Sequence, residues 1–86
     1  MPEISRFFGI VIGMFWDEHR PPHFHVRYGA HQASVGIHDL TVIEGRLPPR
    51  VRGLVVEWAV QNQKALLRNW GCVERGRPLR KIPPLE

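Results

Sequence analysis

The chain has a single cysteine, Cys72, so no internal disulfide can form. A secreted domain this short would ordinarily need such staples, and their lack points to the cytoplasm. No apolar run reaches the about 20 residues that a membrane helix takes; the longest, Phe7–Trp16, closes on Asp17-Glu18-His19-Arg20. Nor does a small-residue cleavage site follow it, as a signal peptide would require. There is no Cys-x-x-Cys pair, no Gly-rich phosphate loop and no Gly-x-Ser-x-Gly elbow, which removes thioredoxin-type, P-loop and α/β-hydrolase chemistry. With only one long helical pattern, no convincing helix-turn-helix is present.

What is present suits one small folded domain. Eighty-six residues leave room for a single core, which three Trp, four Phe and one Tyr can fill. The net charge of +4 is unevenly spread. Residues 1–43 hold three Arg against four acids, a net −1, and residues 44–86 hold nine Arg or Lys against four acids, a net +5. Such an asymmetry suits an anionic partner, either nucleic acid or an acidic protein.

Periodicity predicts an α+β fold in the order β-β-β-β-α. From Arg6 to Trp16 the apolar residues are continuous, as in one strand covered on both faces, with Gly9 and Gly13 together on one face for the close approach of another element. Pro21-Pro22 breaks the run. His23–Gly29 then alternates, with Phe24, Val26 and Tyr28 on one face and His23, His25 and Arg27 on the other. Gln32–His38 alternates too, and a short strand at Thr41–Glu44 completes an antiparallel sheet of about four strands. Beyond Pro48-Pro49 the period becomes helical. Val51, Leu54, Val55, Trp58, Asn62, Leu66 and Trp70 form the stripe of one long amphipathic helix, ended by Gly71. Trp58 and Trp70 belong to the core on this spacing. The chain is thus a single domain, 1–86, with a folded body at 1–71 and an extended basic tail at 72–86. Leu79 and Ile82 could tether that tail. Otherwise Arg75, Arg77, Arg80 and Lys81 would dock a partner, and truncation after Gly71 would leave the body folded while weakening that contact.

The histidine cluster is the feature most like a site. His19, His23 and His25 fall within seven residues, and His23 and His25, two apart on a strand, share a face roughly 6–7 Å apart. Arg27 lies on the same face, with Ser34 or His38 across from it. Two chemistries use such a set. One is metal-free acid–base work at a phosphodiester, with His23 and His25 exchanging protons and Arg27, Arg20 and His19 holding substrate. The other is a divalent ion such as zinc at His19, His23 and His25, with Asp17 an alternative third ligand. A non-catalytic module that binds protein or nucleic acid is the third reading. His31 and His38 are read as functionless strand histidines, and Cys72 as inert.

These residues resemble a bacterial family of small proteins known as domain-of-unknown-function family 4160. The likeness rests on Met1-Pro2-Glu3-Ile4-Ser5-Arg6-Phe7, on the Asp17–Val26 stretch with Pro-Pro-His-Phe-His at its centre, and on Gly45-Arg46-Leu47-Pro48. Glu57-Trp58-Ala59 and the Gly76-x-Pro-Leu-x-Lys-Ile segment extend it over nearly the whole chain. Arg20 stands where Asn is frequent. The resemblance implies the toxin half of a two-gene toxin–antitoxin-type module, with a cognate small protein encoded by a neighbouring gene. In that setting the histidine cluster would make the chain a small ribonuclease that needs no cofactor.

Overall fold

The apolar run near the N-terminus folds as a hairpin and not as one strand. In the computed structural model, which describes residues 2–86, β1 (Glu3–Phe7) and β2 (Ile10–Gly13) pair antiparallel, with Phe7 opposite Ile10. Phe8 and Gly9 between them have φ of 51° and 79°. Positive φ at both central residues is the signature of a type I′ turn, whose twist matches the strands it joins. The signal was hidden because a phenylalanine, not Asn or Asp, takes the first left-handed position. Gly9 therefore serves the turn itself.

Three further strands continue the meander: β3 (His23–Tyr28), β4 (His31–Gly36) and β5 (Val42–Gly45). The result is a five-stranded antiparallel sheet in the order β1-β2-β3-β4-β5, one strand more than expected, with β3 at its centre. The expected alternation holds in the middle of the sheet. Phe24, Val26, Ala33, Val35 and Ile37 are buried, while Arg27 and Gln32 are exposed. At the β4–β5 corner the Asp39 carboxylate accepts the Thr41 amide at 3.1 Å, and that bond holds the carboxyl below its ordinary range.

Gly45 ends β5 at φ 81°, and a Cβ there would run into the Gln32 carbonyl and the Ala33 Cα. Gly45→Ala should cost about 2 kcal/mol or more and lower the Tm by about 10 °C. A thermal melt followed by circular dichroism checks this; an unchanged Tm would contradict the close pairing of β4 with β5.

The long helix is two helices. α1 spans Pro49–Gln61 and α2 spans Gln63–Arg75. The break is made by Asn62. Its side-chain amide donates to the Trp58 carbonyl at 2.7 Å, the acceptor that its own backbone N–H would use in a continuous helix. That N–H turns instead to Ala59. The apolar stripe survives the break, because Val51, Val55, Trp58, Leu66 and Trp70 are all buried. Trp58 is fully enclosed, with Phe7 at 5.5 Å and Phe24 at 5.9 Å between ring centres.

Gly71 does not end the helix. It lies inside α2, and the terminator is Gly76, at φ 66°. Gly76 donates to the Val73 carbonyl and Arg77 to that of Cys72, the paired bonds of a Schellman stop. The body–tail boundary placed at residue 71 therefore falls within a helix, and Val73 beyond it is core.

Residues 77–86 have no regular structure but are tied down along their length. Ile82 and Leu85 join the core. Asn69, itself buried, accepts from the Arg80 amide at 3.0 Å and donates to the Arg80 carbonyl at 2.9 Å. The Ile82 amide donates to the Ile4 carbonyl on β1 at 2.8 Å, and Trp58 Nε1 donates to the Pro83 carbonyl at 2.8 Å. The tether expected of the tail is present, with Ile82 as its main anchor.

Candidate functional site

β3 lies at the middle of the sheet, so His25 is flanked on both sides: Gly13 of β2 stands opposite it on one edge and Ser34 of β4 on the other. Gly13 adds no side chain there. The loop from Met14 to Pro22 supplies the remaining groups. It is fastened by Trp16 Nε1 donating to the Arg77 carbonyl at 2.8 Å and by the Ile37 amide donating to the Pro22 carbonyl at 3.0 Å. An exposed Arg20–Glu74 ion pair at 3.0 Å ties it to α2.

This loop brings Glu18 over both histidines. Oε1 of Glu18 lies 2.6 Å from His25 Nε2, and Oε2 lies 3.5 Å from His23 Nε2. A carboxylate only accepts, so His25 carries a proton on Nε2, which leaves Nδ1 to accept the Ser34 hydroxyl at 3.3 Å. The sequence Glu18–His25–Ser34 is thus a carboxylate–imidazole–hydroxyl line across two strands. His23 is differently placed. Its Nδ1 donates to the Pro21 carbonyl at 2.8 Å, and the residue is only 9% exposed.

Aromatic packing fixes both imidazoles. Phe15, His25, His23 and Trp70 form a row, with successive ring centres at 4.9, 5.1 and 5.3 Å. The row explains why His23 is buried: the face expected to be open is closed at this end by Trp70 of α2. His25, by contrast, opens on a cleft of about 530 Å³, lined also by Phe15, Arg27, Gln32, Ser34 and Glu44. Arg27 therefore shares the cleft of His25, as the strand alternation implied.

The other expected site residues separate from this cluster. His19 is exposed and Arg20 is engaged with Glu74. Asp17 is exposed with φ 67°, and His31 and His38 are exposed too. Among the described residues, the group whose donor atoms converge closely enough to share an ion is Glu18, His23 and His25, all within 4.8 Å of one another. The sequence reading missed Glu18, Phe15 and Trp70. Glu18 had a signal, an acid directly beside the histidine cluster, but its approach depends on how the proline turn returns the loop.

A second feature lies on the far side of the molecule's charge divide. Between α2 and the C-terminal segment runs a groove of about 560 Å³, lined by Arg68, Arg75, Arg80 and Lys81 together with Leu67 and Ile82. Three of these cations belong to the four expected to meet a partner; the fourth, Arg77, is exposed and lends its carbonyl to Trp16.

A family model described as a domain of unknown function, DUF4160, matches residues 9–71. No curated protein and no solved structure matches the chain. No helix among the described residues is long and apolar enough to cross a membrane.

Proposed function

Because the chain belongs to the domain-of-unknown-function family 4160, whose description assigns no activity, we propose a function from its own site: RNA cleavage, as the toxin half of a toxin–antitoxin-type pair. The observation that carries the reading is the Glu18–His25–Ser34 line at the mouth of a cleft shared with Arg27. Cleaving RNA by its own 2′-hydroxyl needs a group to take that proton and a cation to steady the charge growing on phosphorus. His25 takes the 2′-hydroxyl proton at its Nδ1 edge as the 2′-oxygen attacks phosphorus, and the imidazolium returns it to the 5′-oxygen as the P–O5′ bond breaks. Glu18 stabilises the imidazolium that results, as a carboxylate behind a catalytic histidine does. Arg27 meets the phosphoryl oxygens.

His23 takes a different part from the one expected on sequence. Its burial and its bond to Pro21 suit a positioning residue that holds His25 at a fixed angle. The cell compartment implied is the cytoplasm, where RNA is at hand. The cationic groove would receive an acidic segment of the cognate small protein. Should the cleft prove inert, that groove supports the remaining reading, a module that binds a protein or nucleic acid without chemistry.

The experiment is incubation of purified, tag-free protein with a long single-stranded RNA. Wild type is expected to release fragments ending in 2′,3′-cyclic phosphate, and Arg27→Ala to lower kcat/KM by about 10-fold or more, since a charge-assisted contact is worth roughly 1.5–3 kcal/mol. Intact RNA after prolonged incubation with folded wild type would leave the binding reading in its place.

A further inference from the structure

We propose that Glu18, His23 and His25 form a binding site for a divalent transition-metal ion of the zinc type. The donor set is the first argument. Two imidazoles and one carboxylate, with room for water, make the three-ligand pattern that zinc and related ions take in open sites. Zinc bonds of about 2.0–2.2 Å put neighbouring ligand atoms on a tetrahedron roughly 3.3–3.5 Å apart. His23 Nε2 and Glu18 Oε2 already stand at 3.5 Å, and His25 Nε2 and Glu18 Oε1 at 2.6 Å. The three donor atoms lie within 4.8 Å of one another, so the set must draw inward to close on an ion.

The groups behind the ligands are the second argument. A metal-bound histidine donates its other ring N–H to a fixed oxygen, which sets the tautomer and the ring angle. Each histidine has an oxygen beside Nδ1: the Pro21 carbonyl for His23 and, for His25, the Ser34 hydroxyl, which would turn to accept once an ion displaced the proton from Nε2. Both rings are also clamped by the aromatic row from Phe15 to Trp70. The two Nε2 atoms are therefore held facing the same carboxylate.

The third argument is electrostatic. Pro21 can only accept, so His23 holds a proton on Nδ1 and its Nε2 edge faces Glu18 Oε2 at 3.5 Å. A cation in that gap would be drawn by the carboxylate. A divalent ion there would also reach His25 Nε2, displacing the proton that now bonds Glu18 Oε1. His19, the third ligand expected from sequence, is outside the cluster.

The inference shares Glu18 and His25 with the function proposed above and deepens it without depending on RNA as the substrate. With an ion in place His25 Nε2 becomes a ligand. Glu18 and the two histidines would hold the ion, which would supply an acidified water as the proton carrier.

The test titrates tag-free protein with zinc chloride alone, and with cobalt(II) as a spectroscopic stand-in. Wild type should bind one zinc per chain, raise its Tm, and give the visible bands of nitrogen- and oxygen-ligated cobalt, while magnesium gives neither. Glu18→Gln and His25→Ala should each weaken zinc by about 100-fold or more. Ser34→Ala, which leaves every ligand in place, should weaken it by about 10-fold, and His19→Ala and His38→Ala should not change it. Absence of stoichiometric zinc and of cobalt bands in folded wild type overturns the proposal, as does Glu18→Gln binding as tightly as wild type. Failure to bind zinc by a protein that still cleaves RNA overturns it while leaving the ribonuclease reading standing. Stoichiometric zinc with intact RNA does the reverse.

Discussion

A chain cut after Gly76 is expected to lose its cooperative fold. Residues 77–86 bury Ile82 and Leu85 to 5% and 8% exposure, and burying such side chains contributes about 1.5–3 kcal/mol each. Removal also strips Trp58 Nε1 of its acceptor and Asn69 of both its partners. Trp58 is 0% and Asn69 2% exposed, and each polar group abandoned in the interior costs about 1–3 kcal/mol. The losses together rival the whole stability of a chain this long, about 4–13 kcal/mol at 0.05–0.15 kcal/mol per residue. β1 stands at one edge of the sheet, and the cut takes from it the hydrogen bond between Ile82 and Ile4. Circular dichroism and a thermal melt of the truncated chain measure the effect, and Ile82→Ala should show a lesser loss of about 2–5 kcal/mol. A truncated chain that melts like wild type would mean the segment is an appendage after all.

His25→Ala should abolish RNA cleavage while leaving the protein folded. Removing a positioned proton carrier typically costs 10²–10⁴-fold in rate, so a loss of about that size is expected. The side chain is partly exposed and its replacement leaves the inner face of β3 untouched. Its stability cost should therefore stay small. His23→Ala separates the two roles. It opens a gap against Trp70 and frees the Pro21 carbonyl, so a stability loss of about 1–3 kcal/mol should accompany its loss of rate. Single-turnover cleavage, with melts run on the same samples, distinguishes them. Equal rates for wild type and His25→Ala would remove His25 from the chemistry.

How far the sequence reached depends on whether a segment meets water. β3 and β4 were legible because one face carries His25, Arg27, Gln32 and Ser34 while the other carries Phe24, Val26, Ala33 and Val35. The first hairpin was not, because all four residues of β2 are buried. A strand covered on both sides shows no alternation, so its turn at Phe8-Gly9 merges with the apolar run. The helical stripe was readable from Val51 to Trp70, yet Asn62 marked the break that the stripe alone passed over. Gly71 mimics a stop ahead of the true one at Gly76, although Val73 continues the stripe one turn past Trp70. At the site, the pair His23 and His25 followed directly from strand spacing. Glu18 did not, because nothing local says which of Asp17, Glu18 and His19 a loop of unknown path will bring inward. The tail's anchors, Ile4, Trp58 and Asn69, are distant in sequence, and only the tertiary fold brings them to it.

The most direct test of whether the Glu18–His23–His25 cluster makes this protein a toxin is growth of a bacterial host expressing it from a controlled promoter. Three strains suffice: wild type, His25→Ala, and wild type together with the protein of the neighbouring gene. Wild type should arrest growth, His25→Ala should grow as the empty vector does at equal protein level, and the neighbour's protein should restore growth. Normal growth with abundant folded wild type, or arrest by His25→Ala as deep as that by wild type, would contradict it.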